Sequence, residues 1–225
     1  IFHSFAVGSF IDELAHARGK DPRDTWLDVI GPAKKHSLAD LGIAKLSNYG
    51  ESLDKHPVDA GRLRNVIERV TDLAKWSNRK GRFLGLAAHR SFVTYTAVVI
   101  SVVPDPTRTF RIDEAWIAMD PGTVYNKERV HAQMEGSIVM GISNALYGGI
   151  TLTNGAVDQS NFRDARIARN RDIPHKIHTE LIVSTEPPSG VGEPGVPPVG
   201  PAVANAIFAL TGKRIREIPI ANAFA

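Results

Sequence analysis

The chain contains no cysteine. Disulfide frameworks, thiolate zinc sites and iron–sulfur ligation by its own residues are therefore excluded. Long hydrophobic runs are also missing. The strongest, around Ala97–Val103, has the length of a strand and falls well short of a membrane span. Charge of one sign is scarce: 27 Lys and Arg face 24 Asp and Glu, a formal net charge of +3. That balance implies no strongly charged partner. The one basic cluster, Arg163, Arg166, Arg169, Arg171 and Lys176, is interleaved with Asp158, Asp164 and Asp172 and lacks stacking aromatics. It reads as a salt-bridged surface rather than a nucleic-acid site. Internal repeats, low-complexity tracts, a signal-peptide pattern and a start methionine are absent too. The opening Ile1-Phe2-His3-Ser4-Phe5 thus reads as an internal cut in a longer chain.

What is present is an ordinary globular balance, 43% hydrophobic and 23% charged over 225 residues, enough for one large or two small domains with a real core. Ser9 is placed to cap a helix through about Arg18, with Phe10, Ile11, Leu14 and Ala17 as its apolar stripe and Gly19 just beyond its end. Asp21-Pro22 gives the cap and first position of a second helix that Gly31-Pro32 terminates. Residues 32–58 read as irregular. Asp59 caps a third helix whose Leu63, Val66, Ile67, Val70, Leu73 and Ala74 follow helical spacing, with an end near Trp76. Phe83–Ala88, Phe92–Val103 and Phe110–Met119 predict a three-stranded antiparallel sheet, with a turn at Pro104-Asp105-Pro106. Asn126 caps a long helix through Leu146 that carries Gly136, Ser137, Gly141 and Ser143. Asn154-Gly155 marks a hairpin. Lys176–Ser184 predicts a strand, Ala202–Leu210 a helix stopped by Gly212, and Arg214–Ile220 a last short strand. The fold class is α+β, with mixed helices and antiparallel sheet.

One stretch stands apart. Between Gly190 and Pro201 a single carboxylate, Glu193, sits among four glycines and four prolines. Glycine admits close backbone approach and proline fixes φ, so the stretch is a stiffened loop leading straight into a helix. Composition alone favours a spacer; the alternative is a pre-positioned general base. His131 with Glu135, and His175 with His178, have metal-ligand spacing but no evident third ligand, so no metal site is assigned. Nucleophile-elbow and P-loop patterns are absent.

Gly190-Val191-Gly192-Glu193-Pro194-Gly195-Val196-Pro197-Pro198, followed by Pro201–Phe208 and Thr211-Gly212-Lys213-Arg214-Ile215-Arg216, closely resembles the molybdopterin-binding subunit of the xanthine oxidase family, nearest the isoquinoline 1-oxidoreductase β-subunit type. Gln133-Met134-Glu135-Gly136, Ala145–Gly148, Gln159–Phe162, Ser9–Ala15 and His89-Arg90-Ser91-Phe92 extend the resemblance over most of the chain. It implies that residues 1–225 are the C-terminal part of a molybdopterin-binding domain, helical over 1–80, with the sheet, long helix and catalytic loop over 81–225. It implies Glu193 as the active-site base of a hydroxylase acting on N-heteroaromatics or aldehydes with water-derived oxygen. Gln133, Glu135, Gly136, Val191 and Gly192 would lie at the cofactor, expected in its cytosine dinucleotide form, and His89, Ser91 and Phe92 on the substrate side. The expected partners are the remainder of the subunit and an electron-transfer subunit carrying 2Fe–2S clusters, in a bacterial-type enzyme of the periplasm or cytoplasm. Two departures are visible. Met140 stands where some relatives carry a cofactor-contacting Gln, and the family's Gly-Gln-Gly and Phe-Gly cofactor loops are not in this chain. The competing reading is a non-catalytic fragment that binds a partner chain.

Overall fold

The computed structural model of the chain describes residues 1–224. Helix α1 spans Phe2–Ala17, so Ser9 is a mid-helix residue and not the expected cap. The local capping signal is overridden by packing. Phe5 and Gly8 are buried, and a Cβ at Gly8 would stand 2.8 Å from Pro201, so the helix must continue through this close contact. Phe10, expected in the core stripe, is 63% exposed, while Asp12 is buried. Asp21 caps α2 (Pro22–Ile30) as read from sequence, its carboxylate accepting from the Arg23 N–H at 2.7 Å. The irregular stretch that follows contains a two-residue ribbon, β1 (Lys35–His36) with β2 (Val58–Asp59), and a 3₁₀ turn at Asn48–Gly50. Asp59 caps α3 (Ala60–Leu73), which ends one turn earlier than expected; Trp76–Asn78 form a separate 3₁₀ turn.

The sheet follows from runs of β-branched residues that can be buried on both faces. Strands β3 (Phe83–Ser91), β4 (Thr94–Asp105) and β5 (Thr109–Asp120) are antiparallel, as the sequence predicts. Side chains alternate cleanly along β4. Val98, Ile100 and Val102 join one core cluster, and Tyr95, Ala97 and Val99 the other. Helix α4 (Lys127–Tyr147), capped by Asn126 through the Arg129 N–H, covers the first face. The small hairpin β6 (Leu152–Thr153) and β7 (Ala156–Val157) turns at Asn154-Gly155, both with positive φ. Strand β8 (Lys176–Leu181) then adds to the edge of the sheet parallel to β5, giving the order β3-β4-β5-β8 and a mixed sheet.

Helix α5 (Val199–Thr211) lies beside α4 on the first face, and α3 covers the second. Its contact with β3 is close: a Cβ at Gly85 would fall 2.1 Å from the Ala202 carbonyl oxygen. Asn205, buried on α5, donates to the carbonyls of Gly8 and Leu86 at 3.2 Å each and so ties α1, β3 and α5 together. The last expected strand, Arg214–Ile220, does not form, and a 3₁₀ helix occupies Ile220–Phe224. Its alternation has another cause. Arg214 and Arg216 reach Asp12 and Glu13 of α1 at 2.5 and 2.7 Å, while Ile215 between them is buried. A helix, not a strand, is the partner that the pattern records.

Candidate active site

The Glu193 loop is held at both flanks before it enters α5. On the sheet side, the Ser189 N–H and hydroxyl reach the Pro121 carbonyl at 3.0 and 2.9 Å, and the Gly190 N–H donates to the Phe92 carbonyl at 3.1 Å. The Thr94 hydroxyl, fully buried, donates to the Gly190 carbonyl at 2.6 Å and lies 2.5 Å from the Ser189 hydroxyl. On the helix side, the Gln133 amide donates to the Gly192 carbonyl at 3.2 Å. Pro194, Pro197 and Pro198 are buried, and a Cβ at Gly195 would stand 2.6 Å from Cβ of Ser137 on α4. The Val196 N–H closes a turn onto the Glu193 carbonyl at 3.0 Å. A fixed backbone thus presents one exposed carboxylate, Glu193, to the outside.

Three of the residues expected at this site come together with Glu193 around that loop. Gln133 and Gly192 touch directly, and Gly136 follows Gln133 by three residues, on the same flank of α4. Gly136 has nothing within 4 Å of where a Cβ would stand. A helix-interior glycine costs about 1 kcal/mol against alanine, and here no neighbouring atom demands it. Met140 lies one further turn along the same flank and is 55% exposed. Val191 precedes Gly192 and is half-buried against the core.

Glu135 is not part of this grouping. At 100° per residue it sits about 200° from Gln133 around the helix axis. It shares the opposite flank with His131, whose ring nitrogen Nδ1 lies 2.8 Å from the Thr179 hydroxyl of β8. His178 is likewise taken, with Nε2 2.8 Å from Glu114 and the ring stacked on Trp116 at 5.3 Å. Among the described residues no three His, Asp or Glu side chains converge as metal ligands.

The sheet supplies the other wall. His89 and Ser91 pair across the β3–β4 ladder with Thr96 and Thr94, on the face that looks towards α4 and α5. Burial pushes the His89 imidazole down to about 4, so it is neutral at physiological pH. Phe92 occupies the hairpin turn with φ of 50°, is 39% exposed and lies against Tyr49 at 5.0 Å. Adding a Cβ to Gly190 would bring it 2.7 Å from Cβ of Phe92, so the turn and the glutamate loop are in direct contact.

The hydroxyls of Ser91, Thr96 and Ser137 are buried without a hydrogen-bond partner among the described residues. Buried hydroxyls are ordinarily paired, and unpaired ones mark positions where water or a bound group completes the bonding. Sequence reading missed Thr96 and Ser137 in this role, and Thr94 and Ser189 as anchors of the glutamate loop. A signal was available for two of them: Thr94 and Thr96 interrupt an otherwise aliphatic inward face of β4.

A cavity of about 840 Å³ lies elsewhere, at the far end of the sheet around Arg108 and Phe110. Around Glu193 the surface is open, and its chemistry consists of one carboxylate, one amide, neutral hydroxyls and a neutral imidazole. Such a set suits a polar, hydrogen-bonding organic cofactor: the open space at Gly136 admits its approach and the unpaired hydroxyls offer partners.

Comparison with known proteins agrees. Residues 68–174 match the molybdopterin cofactor-binding domain family. The chain is 30% identical over 96% of its length to a membrane-bound aldehyde dehydrogenase of Gluconacetobacter polyoxogenes, named for pyrroloquinoline quinone, covering 27% of that protein. It is 28% identical over 98% of its length to isoquinoline 1-oxidoreductase subunit beta of Brevundimonas diminuta, covering 26%. The chain therefore spans about a quarter of the length of these relatives. In structure it resembles quinoline 2-oxidoreductase of Pseudomonas putida 86, with a TM-score of 0.50 and 21% identity over 56% of this chain and 17% of that one, which shows the shared fold. The family match across β3–β5 and α4, and relatives aligned along nearly the whole chain, support assigning it to the molybdopterin-binding subunits of the xanthine oxidase family.

Proposed function

We propose that this chain is the C-terminal part of the molybdopterin-binding domain of a hydroxylase that acts on N-heteroaromatics or aldehydes, with Glu193 as its base. The observation that carries the proposal is the exposed Glu193 carboxylate on a loop pinned by Thr94, Ser189 and Gln133. A base must be held within hydrogen-bond reach of the proton it takes, and a loop fixed on both sides meets that requirement. The molybdenum cofactor, when bound, supplies the two-electron redox chemistry and an acidified oxygen derived from water. Glu193 would serve there as the proton acceptor. Gln133, Gly136, Val191 and Gly192 line the approach of the cofactor, in its cytosine dinucleotide form, and the hydroxyls of Ser91, Thr96 and Ser137 fill their open bonding positions at or near it. His89, neutral, and Phe92 face the substrate; a neutral imidazole and an aromatic ring favour an uncharged, planar molecule.

The carboxylate and the Gly136 flank face outwards, so the complementary half of the site comes from the remainder of a longer subunit. A partner subunit carrying 2Fe–2S clusters would accept the electrons, as this chain supplies no cysteine of its own for a cluster.

The test uses the full-length protein that contains this chain. Molybdenum, pterin and quinone are measured on one preparation, because one relative is named for pyrroloquinoline quinone. Near-stoichiometric molybdenum, with labelled oxygen passing from water into the product of an N-heteroaromatic or aldehyde, is expected. Quinone without molybdenum, or product oxygen drawn from dioxygen, would overturn the proposal.

A further inference from the structure

We propose that the cavity at the far end of the sheet binds a small organic anion, a carboxylate carried on a planar apolar body. Strands β4 and β5 run twelve residues each from the Glu193 end to this cavity, roughly 35 Å at ~3.3 Å per residue. Its volume of about 840 Å³ lies within the range of small-molecule sites, about 300–1,000 Å³, and far exceeds an inorganic ion. The inference depends on neither the cofactor nor Glu193.

The floor is apolar. Phe110, Ile112, Leu146 and Ile220 are buried there, and Phe224 meets Phe110 edge to face at 5.6 Å. The rim is cationic, with Arg108, Arg111, Arg166 and Arg171 against two carboxylates, Asp105 and Asp172. Both carboxylates are already satisfied. Asp172, 2% exposed, accepts from Arg108 at 2.7 Å, the Tyr147 hydroxyl at 3.0 Å and the Arg169 N–H at 2.9 Å. Asp105 accepts from the Thr107 N–H and hydroxyl at 2.8 and 2.6 Å. These bonds lower the pKa of both groups.

The rim cations are not equally engaged. Arg108 is locked by Asp172 and by the Arg171 carbonyl, and Arg111 pairs with Asp113 at 2.8 Å. Arg166 lies over the Tyr147 ring with its guanidinium carbon 3.7 Å from the centroid, and no carboxylate pairs with it among the described residues. Arg171 approaches Asp172 only at 3.9 Å. A guanidinium held over a ring keeps in-plane N–H groups for a bidentate acceptor. Two under-engaged guanidinium groups above an aromatic floor thus select an anionic head on a flat apolar body.

The probe is 2-naphthoate, with 2-naphthalenemethanol as its neutral counterpart, titrated into the full-length protein by calorimetry and by NMR. Saturable naphthoate binding is expected, weakened at least tenfold in the double variant Arg166→Ala, Arg171→Ala and weakened by added salt. The alcohol should bind at least tenfold more weakly and ignore the double substitution. Ala221→Trp, which fills the cavity, should abolish both. Both arginines are exposed, so the double variant should retain its fold, and its denaturation midpoint checks this. The proposal is overturned by absence of saturable binding, including the case in which another part of the longer polypeptide fills the cavity. Equal affinity in the double variant, or NMR shifts at the Glu193 loop rather than at Phe110 and Phe224, would overturn it as well.

Discussion

Replacing Thr94 by Val tests whether the glutamate loop is pinned as described. The two side chains are nearly isosteric, so the substitution opens no cavity in a fully buried position. What it removes is the hydroxyl that donates to the Gly190 carbonyl at 2.6 Å. Ser189 keeps its bond to the Pro121 carbonyl at 2.9 Å, so only one end of the anchor fails. Gly190 is itself exposed, and water can replace the lost donor. The net value of a hydrogen bond, about 0.5–1.5 kcal/mol, therefore applies rather than the larger penalty of an orphaned buried group. At 1.4 kcal/mol per tenfold, loop opening should become about 2- to 12-fold more frequent. Hydrogen exchange at the Ser189 and Gly190 amides, which are bonded to the Pro121 and Phe92 carbonyls, reads this directly. Thr94→Ser should leave both rates unchanged. Unaltered exchange at these two amides in the Val variant, or equal acceleration across the sheet, would refute the reasoning.

Gly136→Ala should raise stability by about 1 kcal/mol in denaturant titration, because no atom opposes the added methyl. The same variant of the full-length protein should retain less molybdenum, since that open space is the proposed approach of the cofactor. His89 is held to about 4 by burial against an unfolded value of about 6.5. The unfolded chain therefore binds more protons between these values. Stability is fully present above about pH 6.5 and is lost by up to about 3 kcal/mol as pH falls towards 4; His89→Gln should flatten that part of the pH profile. Arg62 holds Asp120 by two bonds of 2.9 and 2.7 Å, with 4% of the carboxylate side chain exposed. Arg62→Leu should cost about 3–5 kcal/mol by stranding that charge, measured by chemical denaturation.

Where a feature is encoded within one turn of chain, it was legible in the sequence. The caps Asp21, Asp59 and Asn126 and the turn at Asn154-Gly155 depend on bonds to residues two or three positions away. Features set by distant contacts were not. The start of α1 depends on Gly8 meeting Pro201, and the Arg214–Arg216 alternation depends on Asp12 and Glu13. The parallel placement of β8 is set by its pairing with β5 across more than fifty residues. The candidate site divides in the same way. Glycine and proline made the Glu193 loop conspicuous, but they gave no hint of Thr94 or Ser189, whose hydroxyls act only once the β3–β4 turn is folded beneath the loop. Glu135 was drawn in by its neighbours in sequence, whereas helical geometry turns it to the opposite flank.

The central claim is that Glu193 serves as the base, and its most direct measurement is turnover of Glu193→Gln in the full-length protein at matched molybdenum content. The side chain is exposed and the loop is held by backbone and neighbouring groups, so the variant should fold and bind cofactor as the parent does. Loss of a general base predicts a fall in kcat of about 10²–10⁴-fold with molybdenum unchanged. Turnover within about threefold of the parent, at equal molybdenum, would contradict it.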